Sequence, residues 1–123
     1  MAKSVNAAIL DLALTDIKTN SNRQVVCSAQ PTTYAELTTY KLAEQAMVAG
    51  DYTLAAGDTS GRKVTVGAKA GVAVATSGTA THVGLGSSGR TQLDLVTTCT
   101  SQAINTGGTV DIPAWKYEIN NPT

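Results

Sequence analysis

The chain has 123 residues, zero formal net charge, no Phe, one Trp and four Tyr. That length allows one domain, 1–123, with a modest two-layer core. The nine basic residues are scattered from Lys3 to Lys116 without forming a stripe, which argues against nucleic acid as a partner.

No stretch is long and apolar enough to span a bilayer, so no membrane partner is expected. Asn6, Asp11 and Asp16 interrupt the apolar residues after Met1-Ala2-Lys3-Ser4. The start is therefore not read as a secretory signal, and an unprocessed product made in a cytoplasm is expected. Scarce aromatics make a core that is marginal alone, and association with a larger partner would stabilise it by mass action.

Residues 4–19 are the best helix candidate. Val5, Ala8, Ile9, Leu12 and Ile17 fall near one face, and Leu10 and Leu14 widen it. Ser4 is the expected N-cap, and Asn20-Ser21-Asn22 the expected stop. So apolar a helix should lie against a sheet or a partner, which makes Ile9 and Leu12 candidate interface residues. Lys3 and Lys18 do not supply the basic face of a membrane-surface helix.

Arg23–Ala29 reads as a strand centred on Val25-Val26-Cys27, stopped by Pro31. Thr33–Leu37 reads as a single helical turn. Tyr40–Val48 is ambiguous: Glu44 and Gln45 favour helix, the alternation around Tyr40 and Leu42 favours strand, and the balance leans to strand. Tyr52–Ala55 and Lys63–Val66 flank Gly57-Asp58-Thr59-Ser60-Gly61, a hairpin loop. Gly71–Thr76 is another short apolar run. Residues 79–119 read as three strands separated by Gly/Ser and Asn/Gly turns. The predicted fold is mainly β: a small antiparallel β-sandwich or barrel-like (jelly-roll-like) domain over 23–119 with one N-terminal α-helix.

Candidate chemistry is thin. Gly84-Leu85-Gly86-Ser87-Ser88-Gly89 formally fits G-x-G-x-x-G, but a dinucleotide site needs a helix after the glycines, and Arg90–Val96 reads as strand. A glycine-rich hairpin loop is the expected structure. Ser60 with His82, the only histidine, would need an orienting carboxylate to act as a nucleophile pair. Asp58 more simply caps its own turn. Asp11, Asp16, Asp51, Asp58, Asp94 and Asp111 are dispersed without calcium-loop spacing. No catalytic, cofactor or metal residue is assigned. Cys27 and Cys99 match no zinc or C-x-x-C spacing. They read either as two small buried hydrophobes or as a disulfide tying an early strand to a late one, the latter suited to a product that leaves the cell. Trp115 reads either as the aromatic plug of a small-residue core or, with Tyr117, as an interface anchor.

Four segments of the C-terminal half carry a resemblance. They are Thr81-His82-Val83-Gly84-Leu85, Leu93-Asp94-Leu95-Val96-Thr97-Thr98, Ala103-Ile104-Asn105-Thr106-Gly107-Gly108-Thr109 and the run from Val110 to Ile119. In order and pattern this resembles a type of small tailed-bacteriophage structural protein. Val25–Pro31 and Gly57–Lys63 look like the first half of that type. The resemblance implies a virion protein without enzymatic activity or cofactor, on the capsid surface. Within the class, a capsid decoration (cement) protein is expected, with the major capsid protein and neighbouring copies of itself as partners. Its mechanism would be burial of surface across capsomers, with main-chain pairing at sheet edges. The alternatives are a tail- or fibre-associated, receptor-contacting protein and a carbohydrate-binding module stacking sugars on Trp115.

Overall fold

Asn6 opens the first helix: its side-chain oxygen accepts from the Ala8 N–H at 2.8 Å. In the computed structural model, which describes residues 3–122, α1 spans Ala7–Asn20. The cap is thus Asn6 and not Ser4, and Met1 and Ala2 lie outside the described residues. The expected face also needs correcting. Leu14 and Ile17 are buried and Leu10 is half-buried, while Ile9 and Leu12 point away. Two apolar stripes compete on this helix, and polar anchors decide between them. Asp11 pairs with Arg62 at 2.8 Å and the Lys18 ammonium reaches the Tyr52 carbonyl at 3.2 Å, so the side bearing residues 10, 11, 14, 17 and 18 faces the sheet.

The remaining elements are β1 (Arg23–Cys27), α2 (Tyr34–Thr39), β2 (Lys41–Ala46), a 3₁₀ turn (Ala49–Asp51), β3 (Tyr52–Ala56), β4 (Arg62–Val66), β5 (Lys69–Ala73), β6 (Gly78–Ser87), β7 (Gln92–Ile104), β8 (Thr109–Ile112) and β9 (Trp115–Ile119). The fold is mainly β and sandwich-like, with antiparallel pairing throughout. One layer is a four-stranded sheet in the order β2-β1-β6-β7. The other is in two pieces, β3-β4-β9 and β5-β8.

That division corrects the last predicted strand. Residues 109–119 form two strands, because Pro113 cannot donate to a ladder and turns the chain from one piece to the other. Within the ambiguous 40–48 segment a strand forms over Lys41–Ala46, as the alternation suggested. Arg23 and Glu44 secure it across the β1–β2 pair with two bonds of 2.9 and 2.7 Å.

Two buried clusters join the layers. Val26, Ala80, Val83 and Ile104 of the four-stranded sheet meet Val72, Val74 and Ile112. Leu85 meets Val64, Val66, Tyr52 and, from α1, Leu14 and Ile17. A third cluster lies on the outer face, where Leu37 of α2 covers Val25 and Cys27. Burying Leu37 fully contributes about 1.5–3 kcal/mol. Covered on both faces, β1 reads as a continuous apolar run, Val25-Val26-Cys27.

Candidate docking surface

Gly84 and Gly86 stand where the fingerprint reading would put a phosphate loop. Both belong to β6, and after a short turn the chain continues as β7, with no helix. Their lack of side chains serves packing. A Cβ on either would come within 2.6 Å of a Leu37 methyl, so the two glycines form the seat for that leucine.

His82 and Ser60 have separate partners in separate layers. His82 Nδ1 shares a 2.9 Å bond with Thr81 Oγ1, and Ser60 Oγ accepts from the Asn121 N–H at 3.0 Å. The expected Asp58 cap is corrected: Lys63 donates to its carboxylate at 2.7 Å and Lys116 of β9 bonds its other oxygen, while the N–H groups of Asp58 and Thr59 in that turn donate to the Glu118 carboxylate of β9. The two lysine bonds, Lys116 first, hold the Asp58 carboxyl down at about 2. Among the described residues, no group of three or more His, Cys, Asp or Glu could hold a metal ion.

Cys27 and Cys99 are free thiols. Cys27 lies opposite His82, and His82 opposite Thr98, so these three share one face of the sheet. Cys99, one residue on, turns to the other face and packs against the inner cluster. The pleat therefore sets the two unbonded sulfurs on opposite faces of the sheet. Burial pushes the Cys27 thiol up to about 11 and raises that of Cys99 as well.

Trp115 resolves to the core. Its ring packs against both inner clusters and its Nε1 donates to Gln24 Oε1 at 2.8 Å. Of the four candidate interface residues it is the one the fold uses internally. Tyr117 is 42 % exposed on β9, an edge strand of its sheet. Ile9 and Leu12 are 57 % and 68 % exposed on successive turns of α1. With exposed Ala8 they make an apolar stripe on the helix face turned from the sheet.

The helix is firmly mounted at its far end. Asp94, with only 4 % of its side chain exposed, accepts from Ser21 Oγ at 2.6 Å, from Gln92 at 2.8 Å and also from Ser87. Arg90 bridges Asp94 at 3.2 Å and Asp16 of α1 at 2.7 Å. Tyr52 donates its hydroxyl to the Ser21 carbonyl at 2.7 Å. Sequence reasoning missed this hub because its bonded pairs are up to 74 positions apart.

Sequence reasoning also missed the outer margin of β7. The signal was present: residues 95–104 contain no charge, Pro or Gly. Beneath that margin lies a cleft of about 180 Å³ lined by Val26, Val83, Cys99, Ile112 and Pro113 among others, adjoining a second hollow that reaches Trp115.

No protein-family model, curated protein or solved structure matches the chain.

Proposed function

We propose that this chain is a non-enzymatic structural protein of a tailed-bacteriophage virion, a capsid decoration (cement) protein on the outer surface of the major capsid lattice. The observation that carries the reading is the uncovered stripe of α1. Ile9 and Leu12 are large aliphatic side chains held in water by a helix whose opposite side is locked to the sheet. Neighbouring exposed aliphatics on a rigid support fit a docking element better than an isolated surface leucine does. The resemblance of the strand and turn motifs to small phage structural proteins supplies the class of partner.

Charge supports the same choice of partner. At least seven of the nine basic residues are ion-paired with carboxylates: Arg23, Lys41, Arg62, Lys63, Lys69, Arg90 and Lys116. Paired bases are poorly placed to neutralise phosphates, whereas protein surface is recognised through apolar burial. The mechanism is burial of the α1 stripe across neighbouring capsid subunits, which adds contact area to the assembled lattice and stabilises the head by mass action.

The test is the copy number in purified particles, by quantitative mass spectrometry against the major capsid protein. A ratio near one, or a simple fraction of it, supports decoration. A handful of copies per particle moves the assignment to tail or fibre, and absence from particles overturns the virion reading.

A further inference from the structure

Two irregular stretches of chain face each other across the cleft between the layers. On one wall β7 breaks its register with β6. Ala80 pairs with Gln102 and His82 with Thr98, so Cys99, Thr100 and Ser101 stand against Thr81 alone. Such a break bends a strand and re-aims its side chains. On the other wall Ile112 ends β8, and Pro113, which has no N–H to donate, carries the chain to β9. Neither wall runs on as a regular ladder, so backbone pairing does not draw the two together.

The gap holds two hollows, of about 180 and 280 Å³, which share Val83, Cys99, Thr100, Ile112 and Pro113 as lining. Each is larger than the ~150 Å³ cavity that admits benzene in another protein. The smaller reaches down to Val26 and Ala80 of the inner cluster, and the larger reaches Trp115. The Trp115 Nε1 is already bonded to Gln24, which leaves the indole as an apolar wall. Among the described residues lining either hollow, Asp111 carries the only charge, and one of its oxygens accepts from the Gly71 N–H at 2.9 Å.

We propose that this cleft is a binding site for one uncharged, elongated apolar molecule that spans both hollows. Size and charge choose the occupant. Each hollow takes a ring or a short alkyl run, and apolar walls with a few polar groups are the usual make-up of a small-molecule site. An anionic group here would lose water, find no cation among the lining residues and meet the Asp111 carboxylate, so carboxylates and sulfonates are disfavoured. No α1 residue lines the cleft, so the inference is independent of the virion reading and the isolated protein tests it without particles.

The probe is N-phenyl-1-naphthylamine, which is uncharged and offers a single ring to the smaller hollow and a fused pair to the larger. Its 8-sulfonate is the anionic control. Dye emission on titration should saturate at one dye per chain, and the sulfonate should bind at least about tenfold more weakly. Cys99→Leu, which sets a larger side chain between the hollows, should lose dye binding with unchanged circular dichroism. Leu12→Ser should keep it. In the parent protein, saturating dye should slow modification of the Cys99 thiol by about tenfold or more, by mass action. Emission that never saturates, equal binding of the sulfonate, or Cys99 labelling unslowed at saturating dye overturns the proposal. So does binding kept by a folded Cys99→Leu variant or lost with Leu12→Ser. Where Cys99→Leu fails to fold, the labelling rate of the parent decides.

Discussion

Gln24 and Trp115 meet through a 2.8 Å hydrogen bond that crosses from one layer of the sandwich to the other. Gln24 is fully buried in β1, and its amide nitrogen lies 3.6 Å from the Met47 sulfur. The indole thus satisfies the one strong acceptor that this buried amide offers. Replacing Trp115 by Phe leaves that oxygen without its donor and should cost about 1–3 kcal/mol in chemical denaturation. Trp115→Ala should cost about 3–5 kcal/mol. A Phe variant as stable as the parent would show that the bond contributes nothing.

Leu37 and the two glycines beneath it form a second testable pair. Gly86→Ala puts a methyl against Leu37 and Tyr34, both packed on the same face. Overpacking of this kind should destabilise by about 1–3 kcal/mol. Leu37→Ala should also destabilise alone, but the double variant should lose less than the sum of the two. Additive losses would argue that the glycine serves backbone conformation instead of space.

The thiols should divide sharply. At pH 8 an aromatic disulfide reagent should modify Cys99 in the native protein and reach Cys27 only after unfolding, because Cys27 is buried with its thiol pushed up to about 11. Cys99→Ser should abolish native-state labelling. Intact mass without reductant should equal the fully reduced value, and a deficit of two protons would contradict the separation of the two sulfurs.

Acid should act on the Asp58 cluster late. Its folded pKa, about 2, lies below the ordinary value of 3.8 because Lys116 and Lys63 favour the charged form. A depressed carboxyl contributes stability above the unfolded value, and that contribution is lost as pH falls from about 4 towards 2. NMR titration of the Asp58 carboxyl should give a midpoint near 2 that moves upward in high salt, since the group is exposed and screened. A midpoint near 4 at low salt would mean that the two lysines do not hold it.

Ile9 and Leu12 separate docking from folding. Ile9→Lys and Leu12→Lys should change unfolding free energy by no more than about 0.5 kcal/mol, as exposed substitutions generally do. The same variants should fail to bind purified phage heads lacking the wild-type protein, measured by co-sedimentation. Undiminished binding by both would remove the α1 stripe from the proposed interface.

Local signals carried much of the fold. Alternation with Gly, Asn and Ser turns was enough to place the β3–β4 hairpin, β6 and β7, since turn chemistry and period-two patterning act over a few residues. The helix was legible from its apolar spacing, and Ile9 and Leu12 as candidate interface residues came with it. Which stripe of α1 is buried was not legible, because the Asp11–Arg62 and Lys18–Tyr52 anchors come from 51 and 34 positions away. Nor was the role of Trp115, whose partner Gln24 is 91 positions distant. Cys27 and Cys99 could be counted in the sequence, but only strand register, opposing Cys27 to His82 and His82 to Thr98, put their sulfurs on opposite faces. Sequence by itself determined which segments extend, turn or coil, because those choices are made by neighbouring residues. Tertiary structure alone decided which faces meet, which strand is left as an edge and which apolar side chains remain in water, because those depend on contacts between residues far apart in the chain.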